Sequence, residues 1–142
     1  MIKFNLLKLI VDFGNSRVKL ALFSKKDLVA TKTIKLFSRK EVIGFCGDNN
    51  ISSSIYSSVR KLNDEEKKLV SSLNCLEINK HTPLPISSIY ESYVGSDRIA
   101  AVVGATFLFP NKDIWVFDAG TCLTADFIDK EKKYHGGRIT LG

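Results

Sequence analysis

A carboxylate stands beside a guanidinium in the tetrapeptide 95–98, and an apolar stretch, 99–109, follows at once. Transfer of a phosphoryl group to an alcohol needs a carboxylate to orient the hydroxyl and accept its proton, and a cation for the phosphate or an anionic substrate. Asp97 and Arg98 could supply both at the start of a predicted helix. The structural alternative is that Asp97 caps this helix and Arg98 forms a surface ion pair.

A second group of candidate residues follows an apolar run at the N-terminus, in the segment Asp12-Phe13-Gly14-Asn15-Ser16. Phosphate binding at a turn needs a backbone that a ligand can approach, which Gly14 permits, and polar donors beside it, which Asn15 and Ser16 carry. Asp12 would hold the Mg²⁺ that bridges the phosphates, directly or through water. The alternative is an ordinary hairpin turn with a solvated aspartate.

The same arrangement recurs where Asp118-Ala119-Gly120-Thr121 ends a second hydrophobic strand and leads into another hairpin. Two acid-x-glycine-polar turns, each after a predicted buried strand, are much less expected by chance than either one alone. They predict an internal repeat, in which each of two similar halves opens with a phosphate-binding turn.

The order of predicted elements supports two halves. Three antiparallel strands open the chain, helices and strands follow, and three more strands come after a long helix. The second half is expected to be incomplete, because three strands alone do not make a helix-covered layer. The predicted strands are 6–13, 17–23, 28–36, 51–59, 76–78, 113–117, 123–129 and 138–141, and the predicted helices are 39–45, 65–73 and 97–109. Three aromatic residues, Phe107, Phe109 and Trp115, are predicted to be core.

Composition excludes several classes of protein. The 142 residues are 44% hydrophobic and 25% charged, which describes a globular domain, and the net charge of +6 favours anionic ligands such as nucleotides. The basic residues are scattered, so no nucleic-acid interface is predicted. The apolar N-terminal run is short and interrupted by charge, which argues against a membrane span. Three widely spaced cysteines predict neither disulfides nor a zinc site, and indicate a reducing, cytoplasmic setting.

The remaining candidates are weaker. Gly136 and Gly137 precede a strand-like segment, where glycine permits either a sharp turn or a close approach to a ligand. His81 and His135 lack metal-ligand spacing, and Cys122 has no nearby histidine that could act as its base.

Four motifs, taken in order, resemble those of the type III pantothenate kinases, also called the Bvg accessory factor-like family. They are Asp12-x-Gly14-Asn15-Ser16, Gly95-x-Asp97-Arg98, Asp118-x-Gly120-Thr121 with Thr124 and Asp126, and Gly136-Gly137-x-Ile139. The resemblance implies the superfamily of acetate kinases, sugar kinases and actin. The implied fold is α/β and ribonuclease H-like (actin-like ATPase), with two similar mixed-sheet halves. Domain one would span 1–110 with the central helix, and domain two, 111–142, would be incomplete.

The resemblance also implies an activity, the ATP-dependent phosphorylation of pantothenate to 4'-phosphopantothenate, which is the first step of coenzyme A biosynthesis. The implied cofactors are Mg²⁺ and a monovalent cation, K⁺ or NH₄⁺, and the implied assembly is a homodimer. The implied roles are catalysis by Asp97 and Arg98; ATP and phosphate binding by Asp12, Gly14, Asn15, Ser16, Gly120 and Thr121; metal binding by Asp12 and Asp118; and substrate binding by Gly95, Ser96, Asp97, Arg98, Tyr90 and Tyr93.

The chain departs from the family pattern in places. Cys122 replaces an alanine, Leu141 replaces a proline, and Tyr90 and Tyr93 lie nearer to the Gly-x-Asp-Arg motif than the family's tyrosine. Family members continue well beyond the last glycine motif, so the chain is interpreted as truncated at Gly142. One alternative is a non-catalytic nucleotide-binding or accessory regulatory protein on the same fold. Another is a kinase of the superfamily that acts on a sugar or acetate.

Overall fold

The computed structural model describes residues 6–87, 94–120 and 122–141. The chain divides into two compact units, Met1–Ile78 and Asn79–Gly142. The first unit contains β1 (Leu6–Phe13), β2 (Val18–Ser24), β3 (Asp27–Ile34), α1 (Arg39–Cys46), β4 (Asn50–Ser58), α2 (Asp64–Ser72) and β5 (Leu76–Glu77). The second contains α3 (Ser96–Leu108), β6 (Ile114–Ala119), β7 (Cys122–Ile128) and β8 (Tyr134–Leu141).

The first unit is a five-stranded mixed sheet in the order β3-β2-β1-β4-β5. The predicted N-terminal meander is confirmed, since β1 pairs antiparallel with β2, and β2 antiparallel with β3. β4 then pairs parallel with β1, and β5 parallel with β4. The carboxyl ends of β1 and β4 therefore lie side by side, which places the residues after both strands at one edge of the sheet.

Alternate residues of the first two strands face a helix-covered core. The side chains at 7, 9, 11 and 13 of β1 are buried, as are those at 18, 20 and 22 of β2. Val42 and Cys46 of α1 and Val70 of α2 complete the same cluster. Burial of each large aliphatic side chain contributes roughly 1.5–3 kcal/mol, so this cluster is the main support of the first unit.

Side-chain caps mark where the first two helices begin. The Ser38 hydroxyl accepts a hydrogen bond from the backbone of Glu41, 3.3 Å away. A reciprocal capping box lies at α2, where Asn63 accepts from the backbone of Glu66 and the Glu66 carboxylate accepts from the backbone of Asn63. Such caps are worth about 0.5–2 kcal/mol each and define the helix entry.

The second unit packs α3 against an antiparallel sheet in the order β6-β7-β8. Its core consists of Val102 on α3 with Ile128 and Tyr134 on the sheet. The prediction that Phe107, Phe109 and Trp115 are core is wrong, because these side chains are 59%, 58% and 61% exposed. Apolar side chains need a covering layer to become buried, and the described part of the chain places none over them.

The last strand is longer than the sequence predicts. β8 begins at Tyr134, four residues before the predicted strand 138–141, and the glycine pair lies within the strand. The register with β7 shifts between Phe127 and Ile128, and Gly136 has a φ of 84°, a left-handed value that suits glycine at a bulge. Gly136 and Gly137 are therefore strand residues, and pairing with β7 continues through the bulge to Tyr134.

Contacts within the chain place α3 with the second sheet, so the compact units divide between Ile78 and Asn79. That division differs from the domain boundary at 110/111, which remains a prediction. Among the described residues, no helix has the length and apolar character needed to cross a bilayer.

Candidate active site

The first candidate turn begins with Asp12, near the carboxyl end of β1. The hydroxyl of Ser57, on the neighbouring parallel strand β4, donates to Oδ1 of Asp12 at 2.8 Å. The ammonium of Lys19, the cross-strand partner of Asp12, lies 4.0 Å from Oδ2. The carboxylate is thus fixed by one neutral donor and lies near one cation, an arrangement that keeps an oxygen-ligand group in place at the sheet edge.

The glycine of this turn allows a tight reversal of the chain. The backbone N–H of Gly14 donates to the carbonyl of Arg17 at 3.0 Å. A Cβ on Gly14 would lie 3.1 Å from the same carbonyl oxygen, closer than most such contacts. Asn15 and Ser16 are exposed at the tip of the turn. Their amide and hydroxyl groups are therefore accessible to a phosphate.

Arg60, which no sequence motif indicates, lies two residues after β4 and contacts this turn. Its Nε donates to the carbonyl of Gly14 at 3.3 Å, and the guanidinium lies 5.4 Å from the centre of the Phe13 ring. Two further nitrogens form a bidentate pair with the buried Glu66 at 2.7 and 2.8 Å. This pairing raises the pKa of Arg60 and, with the same hydrogen bond as its largest cause, lowers the pKa of Glu66.

The second candidate turn follows the first strand of the second meander, β6, as the first candidate turn follows β1. Asp118 lies near the end of β6, directly opposite Thr124 on β7. The backbone N–H of Gly120 donates to the carbonyl of Cys122 at 2.9 Å. Asp118 and Gly120 are exposed, whereas Thr121 lies outside the described residues. The two turns that the sequence relates by an internal repeat therefore each join the first two strands of an antiparallel meander.

The first turn of α3 presents Asp97. The N-cap of α3 is Gly95, which makes no side-chain cap hydrogen bond, and the helix begins at Ser96. Asp97 is therefore a half-buried first-turn residue instead of the cap that the structural alternative predicts. A carboxylate at this position is favoured by the positive end of the helix dipole.

Arg98 differs from the structural alternative in another way, because it is not a surface residue. Its side chain is buried, and its Nε and Nη2 donate to the two carboxylate oxygens of Asp126 on β7 at 2.9 and 2.6 Å. The hydroxyl of Tyr134 donates to Oδ1 of the same carboxylate. The hydrogen bond to Asp126 is the largest of the causes that raise the pKa of Arg98.

The predicted site residues fall into two sets. The first unit contains Asp12, Gly14, Asn15 and Ser16 in one turn, and the second contains Gly95, Ser96, Asp97 and Arg98 at the start of α3, with Asp118 near the end of β6 and Gly120 directly after it. Tyr90, Tyr93 and Thr121 lie outside the described residues. Within the described ranges, no cluster of three or more histidine, cysteine, aspartate or glutamate side chains is arranged to hold a metal ion. Mg²⁺ needs no such cluster, because one or two carboxylates and substrate phosphates commonly hold it.

The architecture and the repeated acidic turns define a protein of the actin-like ATPase fold. Among solved structures, the ethanolamine utilization protein EutJ from Carboxydothermus hydrogenoformans is similar, with a TM-score of 0.53 over 95% of this chain and 52% of that one. The sequence identity is only 13%, so this likeness concerns the fold alone.

Sequence comparison identifies the family. The family model described as type III pantothenate kinase matches residues 8–142, so the chain belongs to that family. The type III pantothenate kinase of Phocaeicola vulgatus is 39% identical over 140 residues, covering 96% of this chain and 58% of that protein. The one from Bacteroides fragilis is 38% identical over 143 residues, with the same coverage. The chain thus spans a little over half the length of these relatives.

Proposed function

We propose that the protein phosphorylates pantothenate with ATP to give 4'-phosphopantothenate, the first step of coenzyme A biosynthesis. Membership of the family supports this reaction. The observation that carries it is the position of Asp97, a half-buried carboxylate in the first turn of α3, at the family's Gly-x-Asp-Arg pattern. A kinase needs one such group beside the alcohol that receives the phosphoryl group.

On the substrate side, Asp97 orients the hydroxyl of pantothenate and accepts its proton as the oxygen attacks phosphorus. Arg98 is the substrate-side cation, and its pairing with Asp126 holds it in one position. Gly95 and Ser96 contribute the backbone of the helix N-terminus, which favours an anionic group. Tyr90 and Tyr93 are the proposed aromatic contacts of the substrate.

On the nucleotide side, each acidic turn is a proposed contact for a phosphate of ATP. The exposed amide and hydroxyl groups of Asn15 and Ser16 at the first turn support this role. The proposed nucleotide residues are Asp12, Gly14, Asn15 and Ser16 at the first turn, with Gly120 and Thr121 at the second. Asp12 and Asp118 would hold Mg²⁺, whose oxygen preference suits carboxylates. When bound, the ion neutralises charge on the phosphates.

The proposal includes a monovalent cation, K⁺ or NH₄⁺, a homodimer and a cytoplasmic location. The cysteines at 46, 75 and 122 are all free thiols, which suits a reducing compartment. Comparing the activity in KCl, NH₄Cl and NaCl tests whether the protein requires K⁺ or NH₄⁺. Light scattering during gel filtration tests the dimer, for which a monomeric mass would be the contradicting result.

The decisive experiment is an ADP-release assay on the full-length gene product with and without pantothenate. We expect Asp97→Asn to lower kcat by about 10²- to 10⁴-fold, because the amide cannot accept the proton. The matched control is Asp64→Asn, which changes an exposed aspartate in the first turn of α2 and should leave activity unchanged. Turnover without pantothenate, or full activity of Asp97→Asn, would overturn the proposal.

A further inference from the structure

Arg98 carries a positive charge into the interior of the second unit, where only 8% of the residue is exposed. A buried charge is tolerated when it is paired and its hydrogen bonds are satisfied. The groups that pair with Arg98 therefore decide where its guanidinium lies. This inference rests on the proposed function, in which Arg98 acts on the substrate side.

Asp126 is the direct partner. It projects from β7, 28 residues further along the chain, and its two oxygens accept from Nε and Nη2 of Arg98. A bidentate arginine–carboxylate pair constrains the plane of the guanidinium as well as its distance. Asp126 thus connects the first turn of α3 to the centre of the second sheet.

Tyr134 is the second partner, and it acts through Asp126. Its ring is 1% exposed in the core beside Val102 and Ile128, and its hydroxyl donates to Oδ1 of Asp126. Burial in the first place, and then this hydrogen bond, raises the pKa of Tyr134 above its ordinary value. The phenol therefore stays protonated and keeps donating through the physiological pH range.

Gly137 provides the space that this arrangement needs. It pairs with Asp126 across β7 and β8. A Cβ at Gly137 would overlap the carbonyl oxygen of Ala125 and would lie 2.5 Å from Oδ1 of Asp126. Both atoms belong to packed parts of the sheet, so neither can move aside cheaply. The second glycine of the Gly136-Gly137 motif therefore keeps the carboxylate in its position under Arg98.

We propose that Asp126 and Tyr134 are positioning residues for the phosphoryl transfer. Tyr134 orients the carboxylate of Asp126, and Asp126 holds the guanidinium of Arg98. Asp97 is the residue directly before Arg98, so its position depends on the same contacts. Neither residue need touch the substrate. Their loss would displace the substrate-side cation and the adjacent base while the nucleotide-binding turn of the first unit stays unchanged.

Steady-state kinetics on the full-length protein separate positioning from folding. We expect Asp126→Asn to raise KM for pantothenate or lower kcat by roughly ten- to a hundredfold, the scale associated with small misplacement of reacting groups. Tyr134→Phe, which keeps the ring, should shift the same parameters in the same direction by a smaller factor. KM for ATP should stay within about twofold of wild type for both variants.

Two matched variants show whether these effects are specific. Asp129→Asn makes the same chemical change three residues further on, at a more exposed carboxylate paired with His135, and should leave the kinetics unchanged. Val102→Ala destabilises the same core without touching the carboxylate. If Val102→Ala lowers Tm as much as the Asp126 and Tyr134 variants do and also reproduces their kinetic change, the positioning role is overturned. It is also overturned if Tyr134→Phe and Asp126→Asn behave as wild type.

A readout without turnover separates failure of this inference from failure of the proposed function. In ¹⁵N-labelled protein, a guanidinium held by Asp126 should give a slowly exchanging Nε–H resonance, assigned by its loss in Arg98→Lys. That resonance should shift or broaden in Tyr134→Phe and persist in Asp129→Asn. Wild-type protein that shows the resonance but does not phosphorylate pantothenate overturns the function and leaves the held arginine supported. Absence of this resonance in wild-type protein would overturn the positioning role of Asp126 and Tyr134.

Discussion

Gly95 and Asp97 provide a physical reason for the spacing of the Gly-x-Asp-Arg pattern. The backbone of Gly95 has φ −59° and ψ 142°, a conformation that any L-residue can adopt. A Cβ there would nevertheless collide with Oδ1 of Asp97 and would lie 3.6 Å from its Cγ. Glycine is needed for space, so that the carboxylate can fold back over the start of the helix.

This contact predicts the effect of Gly95→Ala. The alanine methyl group should displace the Asp97 carboxylate and lower kcat by about tenfold or more, since a general base contributes 10²- to 10⁴-fold. The free energy of unfolding should fall by only about 1 kcal/mol, because alanine can adopt these backbone angles but is a poorer N-cap residue than glycine. ADP-release kinetics and urea unfolding measure the two effects.

Gly104→Ala is the matched control, because Gly104 lies on the same helix and an added Cβ there meets nothing within 4 Å. It should raise stability by about 0.5–1 kcal/mol and leave kcat unchanged. A Gly95→Ala enzyme with wild-type kcat would show that Asp97 needs no such space.

Helix α2 supports the first candidate turn, although none of its residues belongs to that turn. Arg60 follows β4, contacts the carbonyl of Gly14 and pairs with Glu66, which also closes the capping box of α2. The buried carboxylate of Glu66 therefore caps the start of α2 and also holds Arg60 against the turn. Removing its charge should affect both.

The pKa of Glu66 makes this support dependent on pH. Arg60 holds the pKa of Glu66 in the folded protein below the unfolded value of about 4.3. The stabilisation is therefore complete above about pH 4.3 and is lost as pH falls through the lower folded pKa. Glu66→Gln should cost about 1–3 kcal/mol at pH 7, where Arg60 remains charged and loses its partner. It should also flatten the loss of stability that wild type shows as the pH falls below the unfolded pKa of glutamate.

Urea unfolding at several pH values measures this effect. Glu65→Gln, on the exposed side of α2, is the control and should follow the wild-type profile. Parallel stability curves for Glu66→Gln and wild type would mean that the Arg60 pair adds no pH-dependent stability.

Local patterns predict the elements well and their partners poorly. The predicted ranges of β1, α1 and α2 agree with the structure within about two residues, since the signals that set them are local. β8 begins four residues before the predicted strand and contains a bulge beside Gly136, which the sequence does not indicate because register shifts depend on the neighbouring strand. The pairing of Arg98 with Asp126 links residues 28 apart, and no local pattern indicates it. Such contacts follow from the tertiary packing.

For the whole molecule, the two meanders differ in what covers them. In the first unit, Leu9 and Val11, at three and one residues before their aspartate, are fully buried under α1 and α2. Their counterparts by position in the second unit are Trp115 and Phe117, which are 61% and 67% exposed. Trp115 is predicted from the sequence to be a core residue because this face is hydrophobic. Composition alone, however, does not indicate whether a covering layer is present.

Trp115 is the only tryptophan in the sequence, so its fluorescence reports on this face alone. In the 142-residue chain we expect red-shifted emission and efficient quenching by acrylamide, since the indole is exposed. In a form of the protein that continues to the length of its relatives, helices after β8 should cover the face as α1 and α2 cover the first meander, giving blue-shifted, weakly quenched emission. Trp115→Phe in both forms provides the blank. Equal quenching constants in the two forms would show that this face has no intramolecular cover.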